Sequence, residues 1–388
     1  MKTFRILLVA STALLAANFA LAQTWTQTSA PVNYWWSIAS SADGTKLVAL
    51  VGGVPYAKTI YTSADSGATW TSNSVPPVEW WSVASSADGT KLIAAAYGNG
   101  GIYTSTNSGA TWISNNVPGY GWFSVASSAD GVKLVAVAGG GQVVGPIYTS
   151  ANSGAMWLSN NVPNDHWGSV ACSADGTKLI AVAVADYYTS TNSGASWTSN
   201  SIPSVSWGAV ASSADGTKLV AAVIVSGTHR IFTSTNSGTT WVTNIAPVSR
   251  LMYVALSADG VKMVAVEQNR IWFTTNSGAA WMSNNVTGFW HGVASSADGG
   301  KWVVVDGGPG GIWISQSTPA PQMKITPANG NLTLSWVVPS TNFVMQQSSD
   351  LSSWTDVTNT PGLNLTNLQN EVTLPLTGGN TFYRLKTP

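Results

Sequence analysis

The chain has 388 residues, with 16 Lys or Arg and 16 Asp or Glu, which gives a formal net charge of zero at pH 7. Charged residues make up only 8% of the sequence. Such sparse and balanced charge excludes a protein that binds nucleic acid electrostatically and one that binds membranes through a basic patch. The single cysteine, Cys172, excludes an intrachain disulfide and is expected to be a buried, inert thiol.

Residues 1–22 have the features of a cleaved signal peptide. Lys2 and Arg5 precede an apolar stretch over 6–17, and Ala20 and Ala22 supply a small-residue cleavage site before Gln23. This stretch is too short for a membrane span, and no later segment reaches the roughly 18 continuous apolar residues that a span needs. We therefore expect a secreted, periplasmic or cell-surface protein without an integral membrane segment after cleavage.

Two short patterns then recur through most of the chain. The pattern [S/T]-x-[D/N]-S-G-x-x-W begins at 63–70 and ends its sixth copy at Trp281, and a second pattern, WSVASSADGTK at 81–91, occurs in seven variants. Their spacing of about forty residues indicates a propeller or a solenoid. Short runs rich in Val, Ile, Tyr and Trp separate the turns, so each unit is predicted to hold four strands, as over 81–86, 91–96, 101–106 and 111–115.

Four strands in each of seven units predict an all-β, seven-bladed β-propeller over residues 23–316. The seventh unit lacks its own fourth strand, but residues 25–32 align with residues 70–77 of the first unit. We therefore expect the N-terminal strand to close the last blade, because closure removes the exposed edges of an open ring.

The first pattern resembles the Asp box, S-x-D-x-G-x-T-W, of bacterial neuraminidase repeat (BNR) propellers, which are sialidase-like and belong to the wider WD40/YVTN-like class. Ser63, Asp65, Gly67, Thr69 and Trp70 match the box in full, whereas the five later copies carry Asn in place of the Asp. An Asx turn needs a side-chain acceptor rather than a charge, and the glycine supplies a positive φ. The boxes are therefore predicted to be structural turns and not catalytic or metal sites.

The second pattern places a Lys three residues after each Asp of an Asp-Gly turn. We expect such pairs, as Asp43 with Lys46, to interact within one hairpin for little energetic gain. These turns and the boxes occupy one face of the predicted disc. The opposite face, called here the variable face, carries the connections between second and third strands and between blades, which differ in length and sequence.

The repeats stop after residue 316. Residues 317–322 are predicted to be a linker, and residues 323–388 show apolar and polar alternation, as at Leu332, Leu334 and Trp336. This pattern predicts a small C-terminal β-sandwich, which resembles the fibronectin type III-like tails of secreted bacterial proteins.

Aromatic residues are concentrated on the variable face of the first three predicted blades. Trp35, Trp80 and Trp122 open the inner strands, where either packing between blades or stacking on sugar rings suits them. The next position, with Trp36 and Trp81, changes character around the ring and is the better candidate for specificity.

Ionisable residues are concentrated on the other half of the variable face. Arg230, Arg250 and Arg270 can form an anion site, since guanidinium groups suit carboxylates and sulfates. His291 takes the second position of the last inner strand. These four residues complete the predicted set of binding residues.

The signals for catalysis are weak. The Arg-Ile-Pro motif of sialidases is absent from the sequence, so the resemblance transfers no catalytic residue. Asp165, Asp186, Glu267 and Asp306 are candidate acids or bases, but the separation that defines a glycosidase mechanism is not contained in the sequence. The three histidines lack the spacing of zinc ligands, and we predict neither a metal nor a cofactor.

Three functions remain open. The leading hypothesis is a secreted recognition propeller that binds a glycan or an extracellular protein on its variable face. The alternatives are a sialidase-like glycoside hydrolase or polysaccharide lyase, and an assembly or scaffolding factor of the BNR type.

Overall fold

The computed structural model describes residues 24–52, 58–98, 100–139, 144–202, 205–244, 251–284, 286–316, 323–328, 331–337, 344–350, 353–359, 361–366, 368–375 and 381–386. The predicted signal peptide and linker lie outside these residues. Within them the regular secondary structure is β-strand, without a helix, so the prediction of an all-β protein is confirmed. No helix of the described residues is long and apolar enough to cross a membrane.

Residues 25–316 form seven four-stranded antiparallel sheets, called here sheets 1 to 7, with strands numbered β1 to β35 along the whole chain. The first strands of sheets 1 to 7 are β2 Trp35–Ser40, β6 Trp80–Ser85, β10 Trp122–Ser127, β14 Ser169–Cys172, β18 Val205–Ser212, β22 Leu251–Leu256 and β26 Trp290–Ser295. The second strands are β3 Leu47–Val51, β7 Leu92–Ala96, β11 Leu134–Ala138, β15 Leu179–Val182, β19 Leu219–Val225, β23 Met263–Glu267 and β27 Lys301–Asp306.

The third strands are β4 Ile60–Ser63, β8 Gly101–Ser105, β12 Ile147–Ser150, β16 Asp186–Ser190, β20 Thr228–Ser234, β24 Arg270–Thr274 and β28 Ile312–Gln316. The fourth strands of sheets 1 to 6 are β5 Thr71–Asn73, β9 Ile113–Ser114, β13 Leu158–Ser159, β17 Thr198–Ser201, β21 Val242–Asn244 and β25 Met282–Asn284. Sheet 7 takes its fourth strand from the start of the chain, since β1 Trp25–Gln27 pairs with β28 and places Trp25 opposite Ser315.

The second strands are apolar runs, apart from Glu267 at the end of β23 and Lys301 and Asp306 at the two ends of β27. In sheets 1, 2 and 3 the second strand is buried at each position. Successive side chains of a strand point to opposite faces, so a run of this kind needs an apolar neighbour on both sides. The adjacent sheets provide it: one core cluster joins Val48 and Leu50 of β3 to Leu92 and Ala94 of β7. The core is therefore a series of apolar layers between neighbouring sheets.

The seven sheets form a closed cycle. The N–H of Ala42 donates to the carbonyl of Ala87 at 2.7 Å, the same bond links each sheet to the next, and Ala297 of sheet 7 donates back to Ala42 at 2.7 Å. The first strands also lie side by side around the whole cycle, including β26 next to β2. Four-stranded sheets arranged in this way define a β-propeller.

The turn between third and fourth strands has the same geometry with Asp and with Asn. Asp65 Oδ1 accepts hydrogen bonds from Ser63 Oγ and from the N–H of Thr69, both at 2.8 Å. Asn107 Oδ1 accepts the equivalent bonds from Ser105 Oγ at 3.0 Å and from the Thr111 N–H at 2.9 Å. The bonds need an oxygen acceptor and not a charge, which agrees with the structural role predicted for this turn.

The tip of each of these turns has two residues with positive φ. Ser66 and Gly67 have φ values of 58° and 84°, as a type I′ turn requires. The sequence pattern predicted a positive φ for the glycine alone. A serine tolerates this conformation less readily than glycine, so the surrounding hydrogen bonds stabilise it.

The predicted pairing of Asp43 with Lys46 inside one hairpin is wrong. Asp43 Oδ1 instead accepts hydrogen bonds from Ser41 Oγ at 2.6 Å and from the Thr45 N–H at 2.9 Å. The lysines reach the next sheet, as where Lys91 Nζ donates to the carbonyl of Asp130 at 2.9 Å. This bond recurs for three other lysines, Lys178, Lys218 and Lys262. Because neighbouring sheets pack side by side, a long side chain at the start of a second strand reaches the adjacent turn.

The C-terminal residues form two further sheets. The strands are β29 Lys324–Ala328, β30 Asn331–Val337, β31 Val344–Ser348, β32 Thr355–Asp356, β33 Gly362–Asn364, β34 Gln369–Pro375 and β35 Phe382–Lys386. The sheet orders are β29-β30-β34-β33 and β32-β31-β35. Leu334 and Trp336 from the first sheet share an apolar core with Met345 from the second.

Candidate functional site

A β-bulge lies near the start of the first strand in six of the seven sheets. The register shifts between Trp35 and Ser37 and between Trp80 and Ser82, and equivalent shifts occur in sheets 3, 5, 6 and 7. The residue inside each shift has no partner on the second strand. Because a bulge changes the direction in which the side chain of the extra residue points, that side chain does not take part in the regular packing of the sheet.

The tryptophans that precede the bulge are packing residues. Trp35, Trp80 and Trp122 are 0% exposed. Trp35 belongs to the same core cluster as Val305 of sheet 7, and its ring centroid lies 5.2 Å from that of Tyr61 in its own sheet. This corrects the assignment of the three tryptophans as ligand contacts, because a fully buried indole has no face free for a ligand.

The side chains at the bulges of sheets 7, 1, 2 and 3 are His291, Trp36, Trp81 and Phe123. Together with Phe289, which precedes β26, and Tyr97, which follows β7, they form a continuous aromatic cluster, called here the aromatic arc. The ring centroids are separated by 5.2 Å for Phe289–His291, 4.2 Å for His291–Trp36, 4.6 Å for Trp36–Trp81, 5.0 Å for Trp81–Tyr97 and 5.0 Å for Trp81–Phe123. The arc brings together three of the predicted binding residues. It lies on the variable face, where the first strands begin.

Members of the arc differ in exposure. Trp36, Trp81 and Phe123 are half-buried, so each residue keeps some solvent exposure. His291 is 7% exposed, is stacked on Phe289 and makes a tilted ring contact with Trp36. His291 therefore supports the neighbouring rings, which corrects its assignment as a direct ligand contact.

Glycines on neighbouring segments make room for the rings. A Cβ at Gly52 would lie 2.9 Å from the Cβ of Trp36, and one at Gly307 would lie 2.6 Å from Cγ of His291. Neither distance is acceptable for carbon atoms, so larger residues would displace the rings. The sequence analysis did not identify these glycines or Phe289 as part of the site. The position of both glycines directly after a second strand was a signal that could have indicated them.

The same strand position in sheets 4 and 5 has no side chain. Gly168 and Gly208 stand there, and Gly208 is exposed. The axial end of the variable face is therefore asymmetric, with aromatic rings from sheets 7, 1, 2 and 3 and bare backbone at sheets 4 and 5.

The described residues show the local contacts of two of the three arginines that were predicted to form an anion site. Arg250 lies outside the described residues. Arg230 Nη1 donates to the carbonyl of His229 at 3.1 Å, and Arg270 is exposed with its guanidinium 6.0 Å from the Trp272 ring. Arg230 and Arg270 belong to different sheets, and each interacts with its own strand.

The four candidate carboxylates are distributed over three sheets. Glu267 is 4% exposed and accepts a hydrogen bond from Trp272 Nε1 at 3.0 Å. Asp306 Oδ1 accepts from the N–H groups of Phe289 and Gly308 at 3.2 and 2.9 Å. Both carboxylates accept hydrogen bonds from groups of their own sheet and so stabilise its loops or strands. A catalytic acid or base would instead face a ligand.

Asp165 and Asp186 belong to sheet 4. Asp165 Oδ1 accepts a hydrogen bond from the His166 N–H at 2.7 Å, so it caps the connection before the sheet. Asp186 begins β16 and lines an open groove beside sheet 5. Among the described residues no group of three or more His, Cys, Asp or Glu side chains is arranged to hold a metal.

The sheet cycle places the protein in the β-propeller class. No protein-family model matches the sequence, and no curated protein matches it. Solved propellers are similar in fold. "YCF48 bound to D1 peptide" has a TM-score of 0.58 and 15% identity, and the match covers 77% of this chain and 97% of that one.

Two further solved structures are also similar. Hydrazine synthase from Kuenenia stuttgartiensis has a TM-score of 0.62 and 13% identity, with 75% of this chain and 97% of that chain covered. The GH74 xyloglucanase from Xanthomonas campestris has a TM-score of 0.56 and 14% identity, with 81% of this chain but only 59% of the enzyme covered. At these identities the similarity shows the fold alone.

Proposed function

We propose that the protein is a secreted recognition propeller that binds a glycan through the aromatic arc on its variable face. The observation that carries this proposal is the continuous contact of Trp36, Trp81 and Phe123, each of which is only half-buried. Pyranose rings have apolar C–H faces that pack on aromatic rings, and aromatic side chains supply large contact areas.

The scaffold of the proposal is a seven-bladed propeller of the BNR type. Its support comes from the seven sheets, their closed hydrogen-bond cycle and the six Asp-box-like turns. We assign the two C-terminal sheets as a small β-sandwich and residues 1–22 as the secretion signal. In this proposal the propeller sheets are the scaffold, and the aromatic arc is the surface that contacts the ligand.

The expected ligand is a neutral sugar. The aromatic arc contains no arginine. Arg230 and Arg270 interact with their own strands. Acidic sugars such as sialic acid are commonly held by arginine forks, which pair with the carboxylate. Neutral pyranoses need only the aromatic faces and a few hydrogen bonds.

The carboxylates favour binding over hydrolysis. A glycosidase needs two carboxyl groups on opposite sides of one bond. Glu267 and Asp306 are engaged in different sheets by Trp272 and by loop N–H groups. This makes the sialidase-like hydrolase or lyase the weaker alternative.

A protein partner is the second candidate. It is favoured by the fold similarity to YCF48, which was solved bound to a peptide. A partner that inserts an aromatic or aliphatic side chain can use the same half-buried rings, because such rings often dominate protein interfaces. An assembly or scaffolding role belongs to this candidate.

The test is a glycan array on the mature chain, from residue 23 onward, followed by titration of the best neutral glycan. We expect Trp36→Ala and Trp81→Ala each to weaken binding at least tenfold. Trp354→Ala, which removes an indole from the C-terminal sheets, is the matched control and leaves affinity unchanged. A fluorogenic sialoside assay is run alongside.

The alternatives predict different results. Turnover of a glycoside that Asp306→Asn abolishes would favour the enzyme. A protein captured through Trp81, together with a silent glycan array, would favour the partner-binding candidate.

A further inference from the structure

Sheet 5 extends beyond sheet 4 on the variable face. Its first three strands have 8, 7 and 7 residues, whereas those of sheet 4 have 4, 4 and 5. The additional length lies at the variable-face end, where Val205 pairs with Val225 and Ser206 pairs with Ile224. A long sheet beside a short one leaves part of its apolar face without a neighbouring sheet.

An open groove of about 460 Å³ lies at this step. Its apolar wall is made by Val184, Ile202, Val205 and Ile224. Val184 is 51% exposed, in contrast to the completely buried residues of β15. The volume falls in the range of sites that hold small ligands or a few side chains.

Asp186 is the one ionisable residue among those that line the groove in the described part of the chain. It is half-buried at the start of β16. A carboxylate at the edge of an apolar trough attracts a cation and repels an anion.

Among the described residues, the groove lining also has no aromatic ring. Sugars therefore lack the stacking surface that the aromatic arc offers. A fatty acid or another anionic amphiphile fits the apolar wall, but its head group is repelled by Asp186. An extended peptide with aliphatic side chains beside a basic group suits both the wall and the charge.

We infer that the groove between sheets 4 and 5 is a second binding site, which takes a short peptide segment with aliphatic side chains next to a positive charge. This site is separate from the aromatic arc and does not depend on the proposed glycan binding. It gives the propeller two different recognition surfaces on one face.

The test uses two dipeptide probes of similar size and opposite charge. Leucyl-leucinamide carries a protonated amine, and N-acetyl-leucyl-leucine carries a carboxylate. Both are titrated into the mature chain at low salt and followed by ligand-detected NMR. We expect the cationic probe to bind roughly threefold more tightly, as a single exposed ion pair allows.

Two variants then separate shape from charge. Val184→Trp fills the groove at an exposed position and is expected to weaken binding of the cationic probe at least tenfold. Ile113→Trp is the matched control, since Ile113 is also exposed, at 66%, but lies on β9 of sheet 2. Asp186→Asn keeps the shape of the groove and is expected to remove the preference between the probes.

The inference is overturned if neither probe binds, if the wild type does not prefer the cation, or if Val184→Trp binds as well as Ile113→Trp. A preference that persists in Asp186→Asn also contradicts it. Trp81→Ala distinguishes the two sites, because it is expected to reduce glycan binding and to leave both dipeptides unaffected.

Discussion

Lys301 and Ser66 are 235 residues apart in the chain, and Lys301 Nζ donates a hydrogen bond of 2.8 Å to Ser66 Oγ. Lys301 begins β27 of sheet 7, and Ser66 lies at the tip of a turn in sheet 1. The bond therefore crosses the junction at which the last sheet meets the first. Lys301 is only 4% exposed, and burial lowers the pKa of its ammonium, although the charges of Asp43 and Asp298 act in the opposite direction.

The first prediction concerns this junction. Lys301→Met keeps the apolar stem but removes the charged donor, and we expect it to lower the free energy of unfolding by about 1 to 3 kcal/mol. Urea denaturation followed by tryptophan fluorescence measures the change. Lys324→Met, at an exposed position of β29, is the control and is expected to have little effect. Equal losses in the two variants would show that the junction bond does not contribute.

The second prediction concerns acid stability. Burial alone raises the pKa of Asp88, but hydrogen bonds from Ser86 and Thr90 and the charge of Lys46 outweigh it, so the net pKa is lowered. Asp43, Asp130, Asp175 and Asp215 behave similarly. A folded-state pKa below the unfolded value gives stability that is complete above the unfolded pKa and is lost as pH falls through the folded one.

We therefore expect the melting temperature to fall steeply below about pH 4. Differential scanning calorimetry between pH 7 and pH 2.5 measures this dependence. Asp88→Asn removes one titrating group, so its melting temperature is expected to decrease less on acidification than that of the wild type. An unchanged slope in this variant would contradict the contribution of Asp88.

The repeat architecture could be predicted from the sequence because its signals are local. The Thr69 N–H donates to Asp65 Oδ1 and the Gly67 N–H donates to Ser63 Oγ, each across four positions, and this spacing is visible in one sequence. The partner of Lys91 could not be found in this way. Its ammonium bonds to the Asp130 carbonyl, 39 residues away, and that contact depends on how neighbouring sheets pack.

The candidate site shows the same limit. Trp35 and Trp36 are adjacent and chemically identical, but the first is fully buried and the second is partly exposed. The bulge between Trp35 and Ser37 separates their roles, and its register shift is a property of the strand pair. The sequence therefore indicated an aromatic half of the variable face without showing which rings are accessible.

The third prediction concerns Cys172. Cys172 is half-buried at the end of β14, beside a cavity that residues of all seven propeller sheets line, and desolvation and the charge of Asp175 raise the pKa of its thiol to about 12. At pH 8 the reactive thiolate should be on the order of a thousandfold scarcer than in the unfolded chain. Mass spectrometry after iodoacetamide treatment should show slow labelling of the native protein and rapid labelling in denaturant. Rapid native labelling would contradict the pKa shift.

The fourth prediction tests the recurring turn. Asn107→Asp keeps the oxygen that accepts bonds from Ser105 and Thr111, so it should change stability little. Asn107→Ala removes this oxygen, and we expect a loss of about 1 kcal/mol. Thermal melts of both variants compare them directly. A larger loss for Asp than for Ala would show that the turn depends on the amide nitrogen, which donates to Thr111 Oγ1.

The final prediction separates scaffold from site at two adjacent residues. Trp35→Ala leaves a cavity in the core between sheets 7 and 1, and we expect a loss of about 3 to 5 kcal/mol. Trp36→Ala removes ring contacts with Trp81 and His291 at the partly exposed arc, and about 1 to 2 kcal/mol should be lost. Urea denaturation of both variants measures these losses, with Trp36→Phe as a control that keeps an aromatic ring. Because a destabilised protein can lose binding indirectly, the Trp36 variant must lose glycan affinity while it remains folded. Equal destabilisation by the two alanine substitutions would contradict the division of roles that the bulge imposes.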